Sequence, residues 1–260
     1  MTPSDRFTTT FALPYSAINA NGRIKADWLL NLFQDAASHQ CRQFGISGFD
    51  MAKKGLKWVV SQYDIRIHDH APWLSELSLS TWRAPWKNLY EVRRFEVTGG
   101  GQPLISATGI WILIKAANGK PVRLSSHLPE HLMQIQAKAP ERLRIHAPLT
   151  DFHHETPIQV RFLDIDLNQH VNNREFLRWA VESLPEPHCF SFTPVRCKIV
   201  YLKEGLFGQH LVSRVRVAFT ETGLQTEHAI VNPEKQLELA RISISWASLT
   251  ESNTRHTYGI

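Results

Sequence analysis

The feature that most limits how this chain can fold is that its pattern occurs twice. A Thr-rich, strand-like run at 7–13 leads through Pro14 and a turn around Asn19-Ala20-Asn21-Gly22. Leu29, Leu32, Phe33, Ala36, Ala37, Cys41 and Phe44 then recur at i, i+3, i+4, i+7, which predicts one apolar face of a long helix ended by Gly45. A connector at 45–55 has room for a second, short helix. Four segments rich in β-branched and aromatic residues follow, at about 56–68, 76–82, 89–98 and 104–115, with Gly99-Gly100-Gly101 as a hairpin signal. Ile110 to Ile114 is apolar on both faces and is expected inside the molecule.

Residues 116–150 mix Pro, His, Lys and Arg and read as a connecting region with one short helix near 129–137. The pattern then restarts, with a strand near 156–162, a polar loop, a helix at about 174–184, and strands near 195–202, 211–219, 226–231 and 237–247. In the last, Ala240, Ile242, Ile244 and Trp246 alternate with Arg241, Ser243 and Ser245, so one face is buried. The strands superpose at offsets of roughly 133 to 138 residues and the helices at about 147, the difference falling in the longer connector after Phe44. The reading is α+β, with each sheet burying one helix.

The chain has 260 residues, 43% of them hydrophobic, enough for one large core or two ordinary ones. No apolar run approaches the roughly 20 residues of a membrane span, and the first residues lack a signal-peptide apolar stretch, so a cytoplasmic, membrane-free protein is expected. Three cysteines (Cys41, Cys189, Cys197) are too few and too unpatterned for a disulfide framework or a zinc site. A net charge of +5 favours an acidic partner. The basic residues are dispersed and no nucleic-acid motif is present, which argues against nucleic acid.

The densest chemistry lies in Asp164-Ile165-Asp166-Leu167-Asn168-Gln169-His170-Val171-Asn172-Asn173, just before the second helix. Asn172 and Glu175 have the spacing of a capping box. Asp166, Asn168 and His170 alternate, so an extended segment would turn all three to one side, near backbone N–H groups suited to an oxyanion. A plain polar turn is the competing reading.

Asp-Leu-Asn-Gln-His-Val-Asn-Asn resembles the active-site segment of the acyl-acyl carrier protein (acyl-ACP) thioesterases of plant plastids and bacteria. The resemblance implies two tandem hot-dog units, each an antiparallel sheet wrapped around a long helix. It divides the chain into an N-terminal unit at 1–128, a linker at 129–150, a C-terminal catalytic unit at 151–250 and a tail at 251–260. Leu56-Lys57-Trp58-Val59-Val60-Ser61 and Ile105-Ser106-Ala107-Thr108-Gly109-Ile110-Trp111 are similar to family strands of the first unit. Tyr201-Leu202-Lys203-Glu204-Gly205 is similar to the plant segment that carries a catalytic Glu, with Gly205 where the plants have Cys. The implied catalytic residues are therefore Asp166, Asn168, His170 and Glu204.

Sliding the second half back by about 147 residues puts Asn19, Asn21 and Arg23 at Asp166, Asn168 and His170. Arg cannot act as a base at neutral pH, so one active site per chain is expected, with the first unit shaping the acyl pocket. Without the plant cysteine, a thiolate mechanism gives way to water activated by Glu204 and His170, or to direct attack by Asp166. The implied reaction is hydrolysis of fatty acyl-ACP to free fatty acid and holo-ACP, with no cofactor and no metal. Acyl-CoA hydrolysis and non-catalytic acyl binding remain as alternatives, and a homodimer is compatible with the fold. Lys53, Lys54, Lys57, Arg83 and Lys87 are candidates for meeting the acidic carrier.

Overall fold

The computed structural model describes residues 6–141, 145–186 and 188–249, so the tail at 251–260 lies outside the described residues. The first half runs β1 (Arg6–Ala12), α1 (Ala26–Gln43), α2 (Gly48–Ala52), β2 (Leu56–Ile67), β3 (Glu76–Trp86), β4 (Tyr90–Gly99) and β5 (Gln102–Lys115). The second runs β6 (His154–Gln159), α3 (Asn173–Glu182), α4 (His188–Ser191), β7 (Phe192–Tyr201), β8 (His210–Thr220), β9 (Gly223–Asn232) and β10 (Leu237–Ser248). The helix expected near 129–137 is a single 3₁₀ turn, Glu130–Met133.

All ten strands form one antiparallel sheet in the order β1-β3-β4-β5-β2-β7-β10-β9-β8-β6. Adding five to each strand number in the first half gives the order in the second read inward from its outer edge, so the repeat in sequence is a repeat in topology. The halves meet where β2 pairs with β7, from Gln62 opposite Val200 to Arg66 opposite Arg196. A bidentate pair crosses this seam, with Arg196 Nε and Nη2 donating to Asp64 at 2.9 and 2.7 Å.

Each sheet half buries one helix, and the two helices pack on each other. Leu29, Phe33, Ala36 and Ala37 of α1 and Phe44 at its end are buried as the spacing predicts, while Leu32 and Cys41 are half-buried and Leu30 and Gln40 are buried in addition. Phe33 stacks on Phe95 of β4 with ring centroids 4.5 Å apart. Burying a side chain of this size contributes about 1.5–3 kcal/mol. Asp27 in the first turn and Arg42 in the last complement the helix dipole. The helix stops at Gly45, whose φ of 67° suits a residue without Cβ, with Gly45 N–H donating to Arg42 C=O at 3.1 Å and Ile46 N–H to Cys41 C=O at 2.9 Å.

Two local expectations change. Asn172 does cap α3, its side chain accepting from Arg174 N–H at 3.0 Å, but Glu175 does not complete a capping box. The buried Glu175 carboxylate instead takes Arg174 Nε at 2.6 Å and Arg178 Nε at 2.5 Å, charge-assisted bonds that outcompete a neutral backbone donor. Along β5, Ile110 and Leu113 are buried, Leu113 against Leu124, Leu128 and Leu132, while Ile112 and Ile114 are only half-buried.

The second core carries a polar network. His228 is fully buried, with Nε2 2.8 Å from Thr226 Oγ1 and Nδ1 3.3 Å from Ser183 Oγ, and burial holds it down at about 3. His70 is held at about 4, by burial and then by the Arg23 charge, with Asp69 opposing. Both histidines bind fewer protons folded than unfolded, so their stability contribution is complete above about pH 6.5 and is lost as pH falls towards these values. Denaturant melts are expected to show stability falling below about pH 6.5 by up to ~1.4 kcal/mol per pH unit per histidine. His228→Gln should flatten that slope, and an unchanged slope would contradict the assignment.

Candidate active site

The segment after β6 is a closed turn, not the extended run the alternation suggested. Ile165 and Val171 form an isolated antiparallel bridge. Asp166 N–H donates to His170 C=O at 2.8 Å, and Gln169 N–H to Asp166 C=O at 3.0 Å. Gln169 takes a φ of 63°, which the turn requires and an extended strand forbids. The Asp166 carboxylate turns back on the turn itself, accepting from Asn168 N–H at 2.7 Å and Asn168 Nδ2 at 3.2 Å.

Two anchors hold this turn. At its start, the buried Asp164 accepts from Arg161 N–H at 2.7 Å and Arg178 Nη2 at 3.0 Å. At its end, Val171 N–H donates to Gly205 C=O at 2.9 Å, tying the turn to the chain that leaves β7. That exit is fixed by Leu202 and Lys203 N–H groups donating to Leu239 C=O, and by Tyr201 OH donating to Asn173 C=O at 3.1 Å. A Cβ on Gly205 would lie 2.7 Å from Val171 Cγ2, so the close approach that aligns turn and strand exit depends on glycine.

The result brings His170 Nε2 to 3.1 Å from Glu204 Oε2. The other oxygen, Glu204 Oε1, accepts from Lys57 Nζ of β2 at 2.6 Å. All four residues singled out from the sequence, Asp166, Asn168, His170 and Glu204, line one cavity of about 320 Å³. Phe176 of α3 and Tyr201 of β7 line it as well, and the first half supplies the rest, with Ala37, Ser38 and Cys41 of α1, Lys57 of β2 and Trp111 of β5 among them. Cys41 is the cysteine at this cavity, and burial pushes its thiol up despite the opposing Arg93 charge. Cys197 is fully buried in the seam and pushed up to about 12 by burial. Neither offers His170 a thiolate.

The first half keeps the same turn. Ile18 bridges Ile24, Asn19 N–H donates to Arg23 C=O at 2.8 Å, Gly22 N–H to Asn19 C=O at 3.0 Å, and Asn21 N–H to Asn19 Oδ1 at 3.0 Å. His68 and Asp69 donate to Leu104 C=O as Leu202 and Lys203 do to Leu239 C=O. His70 is therefore the counterpart of Glu204, and the second turn's acid, amide, imidazole and carboxylate are here Asn19, Asn21, Arg23 and His70. The signal for His70 lies in the strand offset of roughly 133 to 138, not the helix offset of about 147, since the shared hydrogen bonds give 202 − 68 = 134.

Two of the five basic candidates for a carrier surface are placed elsewhere. Arg83 is buried in a bidentate pair with Glu91, its Nη2 at 2.5 Å from Oε2, and is not a surface group. Lys57 points to the cavity and Glu204. Lys53, Lys54 and Lys87 are exposed. The burial of Arg83, Glu91 and Arg93 has a sequence signal, since 83 shares strand parity with the core residues Leu77 and Leu79, and 91 and 93 with Phe95 and Val97.

The family model for the acyl-ACP thioesterase N-terminal domain matches residues 4–132, and that for the C-terminal domain matches 149–248. The chloroplastic palmitoyl-acyl carrier protein thioesterase of Gossypium hirsutum is 27% identical over 202 residues, covering 70% of this chain and 48% of that protein. The chloroplastic dodecanoyl-[acyl-carrier-protein] hydrolase of Cinnamomum camphora is 25% identical over 276 residues, 95% of this chain and 69% of that one. The chain thus spans about half the length of several curated relatives it matches. The crystal structure of a 12:0-ACP thioesterase from Umbellularia californica superposes with a TM-score of 0.83 at 21% identity, covering 95% of each chain. That of an acyl-ACP thioesterase from Bacteroides thetaiotaomicron gives 0.79 at 19% identity, over 93% of this chain and 98% of the other. At such identities the structures speak for the fold. With both halves matched in order by the two domains of one family, and the tandem hot-dog sheet common to its solved members, this chain belongs to the acyl-ACP thioesterases.

Proposed function

We propose that this protein hydrolyses the thioester of fatty acyl-ACP, releasing free fatty acid and holo-ACP. The observation that carries the reading is the ordered set Lys57, Glu204 and His170, joined at 2.6 and 3.1 Å beside Asp166 and Asn168 on a cavity walled by the other unit. The cavity suits an acyl chain whose thioester lies at the second unit's turn. Glu204 and His170 activate and position water, Asn168 and backbone N–H groups polarise the carbonyl, and Asp166 orients the water or the imidazole. Asp166 already accepts two bonds from Asn168, an arrangement that favours a positioning role over attack. Single-turnover hydrolysis in oxygen-18 water tests this, because label in the Asp166 carboxylate would establish the covalent route.

Lys57 enters this scheme as the group that holds Glu204 towards His170. Lys57→Met is expected to lower kcat between about ten- and a hundred-fold through misplacement of Glu204, with Lys57→Arg restoring most of it. Equal kcat for wild type and Lys57→Met would remove it from the site.

The same reading keeps residues 1–128 as the acyl-pocket unit, 129–150 as the linker and 151–250 as the catalytic unit. It goes with a cytoplasmic homodimer; the sheet leaves β1 and β6 as edge strands on which copies can pair. No helix among the described residues is long and apolar enough to cross a membrane. The deciding experiment is thiol release from a chain-length series of acyl-ACPs and matching acyl-CoAs, for wild type and Glu204→Ala. Preference for acyl-ACP, lost in the variant, is the expected result. Equal or better turnover of acyl-CoA would change the carrier, and no turnover of either would leave an acyl-binding protein.

A further inference from the structure

Lys57 of β2, Trp111 of β5 and Glu91 and Arg93 of β4 all line the cavity. Their strands are successive neighbours, β2-β5-β4, so the cavity extends from the Glu204 side across about two strand spacings, roughly 10 Å. It ends on charge. Arg93 is 2% exposed and Glu91 3%, and behind them the Arg83 side chain is equally buried. Both oxygens of Glu91 are taken by Arg83, through Nε to Oε1 and Nη2 to Oε2. Arg93 is left with neutral partners, its Nη1 donating to Gln40 Oε1 at 2.6 Å and Thr81 Oγ1 at 3.3 Å, and its Nη2 to Cys41 Sγ at 3.1 Å. Its Nε–H makes no hydrogen bond among the described residues.

A methyl-ended acyl chain filling this space would cover the Arg93 Nε–H without giving it an acceptor, and leaving a buried donor of an ion unpaired is unfavourable. An oxygen at the chain's far end supplies the acceptor. Resting on the thioesterase reading, we propose that the cavity floor at Arg93 selects acyl groups carrying a hydrogen-bond-accepting oxygen, hydroxyl or carboxylate, at the end distal to the thioester. A site built around a polar contact discriminates against the analogue lacking it more strongly than an apolar pocket discriminates chain length. The preference is thus set by chemistry as well as by depth.

Two measurements test this. The first is kcat/KM of wild type on ACP loaded with six- to twelve-carbon chains, each plain, ω-hydroxylated or ω-carboxylated. At the best-fitting length the oxygenated chain is expected to exceed the plain one at least roughly ten-fold. Arg93→Met should abolish that ratio while raising turnover of the plain chain. The second is calorimetric binding of octanamide and 8-hydroxyoctanamide to wild type, a pair without a carboxylate that Arg93 could take in reverse, and it needs neither turnover nor a variant that folds. Tighter binding of the hydroxyamide supports the floor even if no thioester is hydrolysed, an outcome that would sink only the enzyme reading. Plain chains equal or better at every length, with equal binding of the two amides, would reduce Arg93 to a strut between α1 and β4 and overturn the proposal.

Discussion

Glu204→Ala is expected to abolish most turnover of acyl-ACP, lowering kcat by about 10²–10⁴-fold, while the protein melts at nearly the wild-type temperature. The size follows from what the carboxylate joins. One oxygen meets His170 Nε2 at 3.1 Å and the other Lys57 Nζ at 2.6 Å, so its loss separates the imidazole from its partner and frees a cation at the cavity mouth. The small effect on stability follows from exposure. The Glu204 side chain is 46% exposed, and ion pairs so wetted contribute little to folding. Glu204→Gln keeps the shape and both contacts' geometry but cannot take a proton, and should be nearly as inactive. His170→Ala should resemble Glu204→Ala, and the double variant should lose little more than either, because the two act as a unit. Single-turnover thiol release with a parallel thermal melt checks this. Activity within about three-fold of wild type would place the chemistry elsewhere.

The architecture was legible in the sequence because periodicity reports burial. Most of the α1 face, the alternation along β10 and the succession of strands along the chain follow from which side chains must leave water. Directions within the polar loop were not legible. Alternation at Asp166, Asn168 and His170 suggested an extended segment, whereas two backbone hydrogen bonds and the left-handed Gln169 fold it into a turn, and side-chain type alone does not choose between these. Pairing across the two units was equally hidden. Lys57 and Glu204 are 147 positions apart and meet only because β2 and β7 join the sheet halves. Charge alone suggests a surface position for Arg83, because without strand parity it says nothing about facing. The counterpart His70 follows only from the strand offset, because the helix offset stops applying at a connector whose length differs between the halves.

The second large effect concerns stability. Glu91→Ala is expected to destabilise the fold by about 3–5 kcal/mol, since it leaves the guanidinium of Arg83 buried without its counter-ion. The Arg83 and Glu91 side chains are 3% and 4% exposed, and beyond Glu91 the contact of Arg83 is a long 3.3 Å bond from Nη1 to Leu132 C=O. Arg93 close by adds a second positive charge to the same region, which burial on this face makes costly once Glu91 is gone. For a chain of this size each kcal/mol moves Tm by about 2–4 °C, so a fall of roughly 10 °C is expected. The contrasting variant is Arg83→Met with Glu91→Leu, which removes both ions and should recover most of the loss, because well-packed apolar residues often replace a buried pair without cost. Melts of Arg83→Met, Glu91→Leu and the double close the cycle. If Glu91→Ala melts within a degree or two of wild type, water reaches Arg83. The cavity floor would then be hydrated rather than sealed, and an apolar acyl end would meet no unpaired charge there.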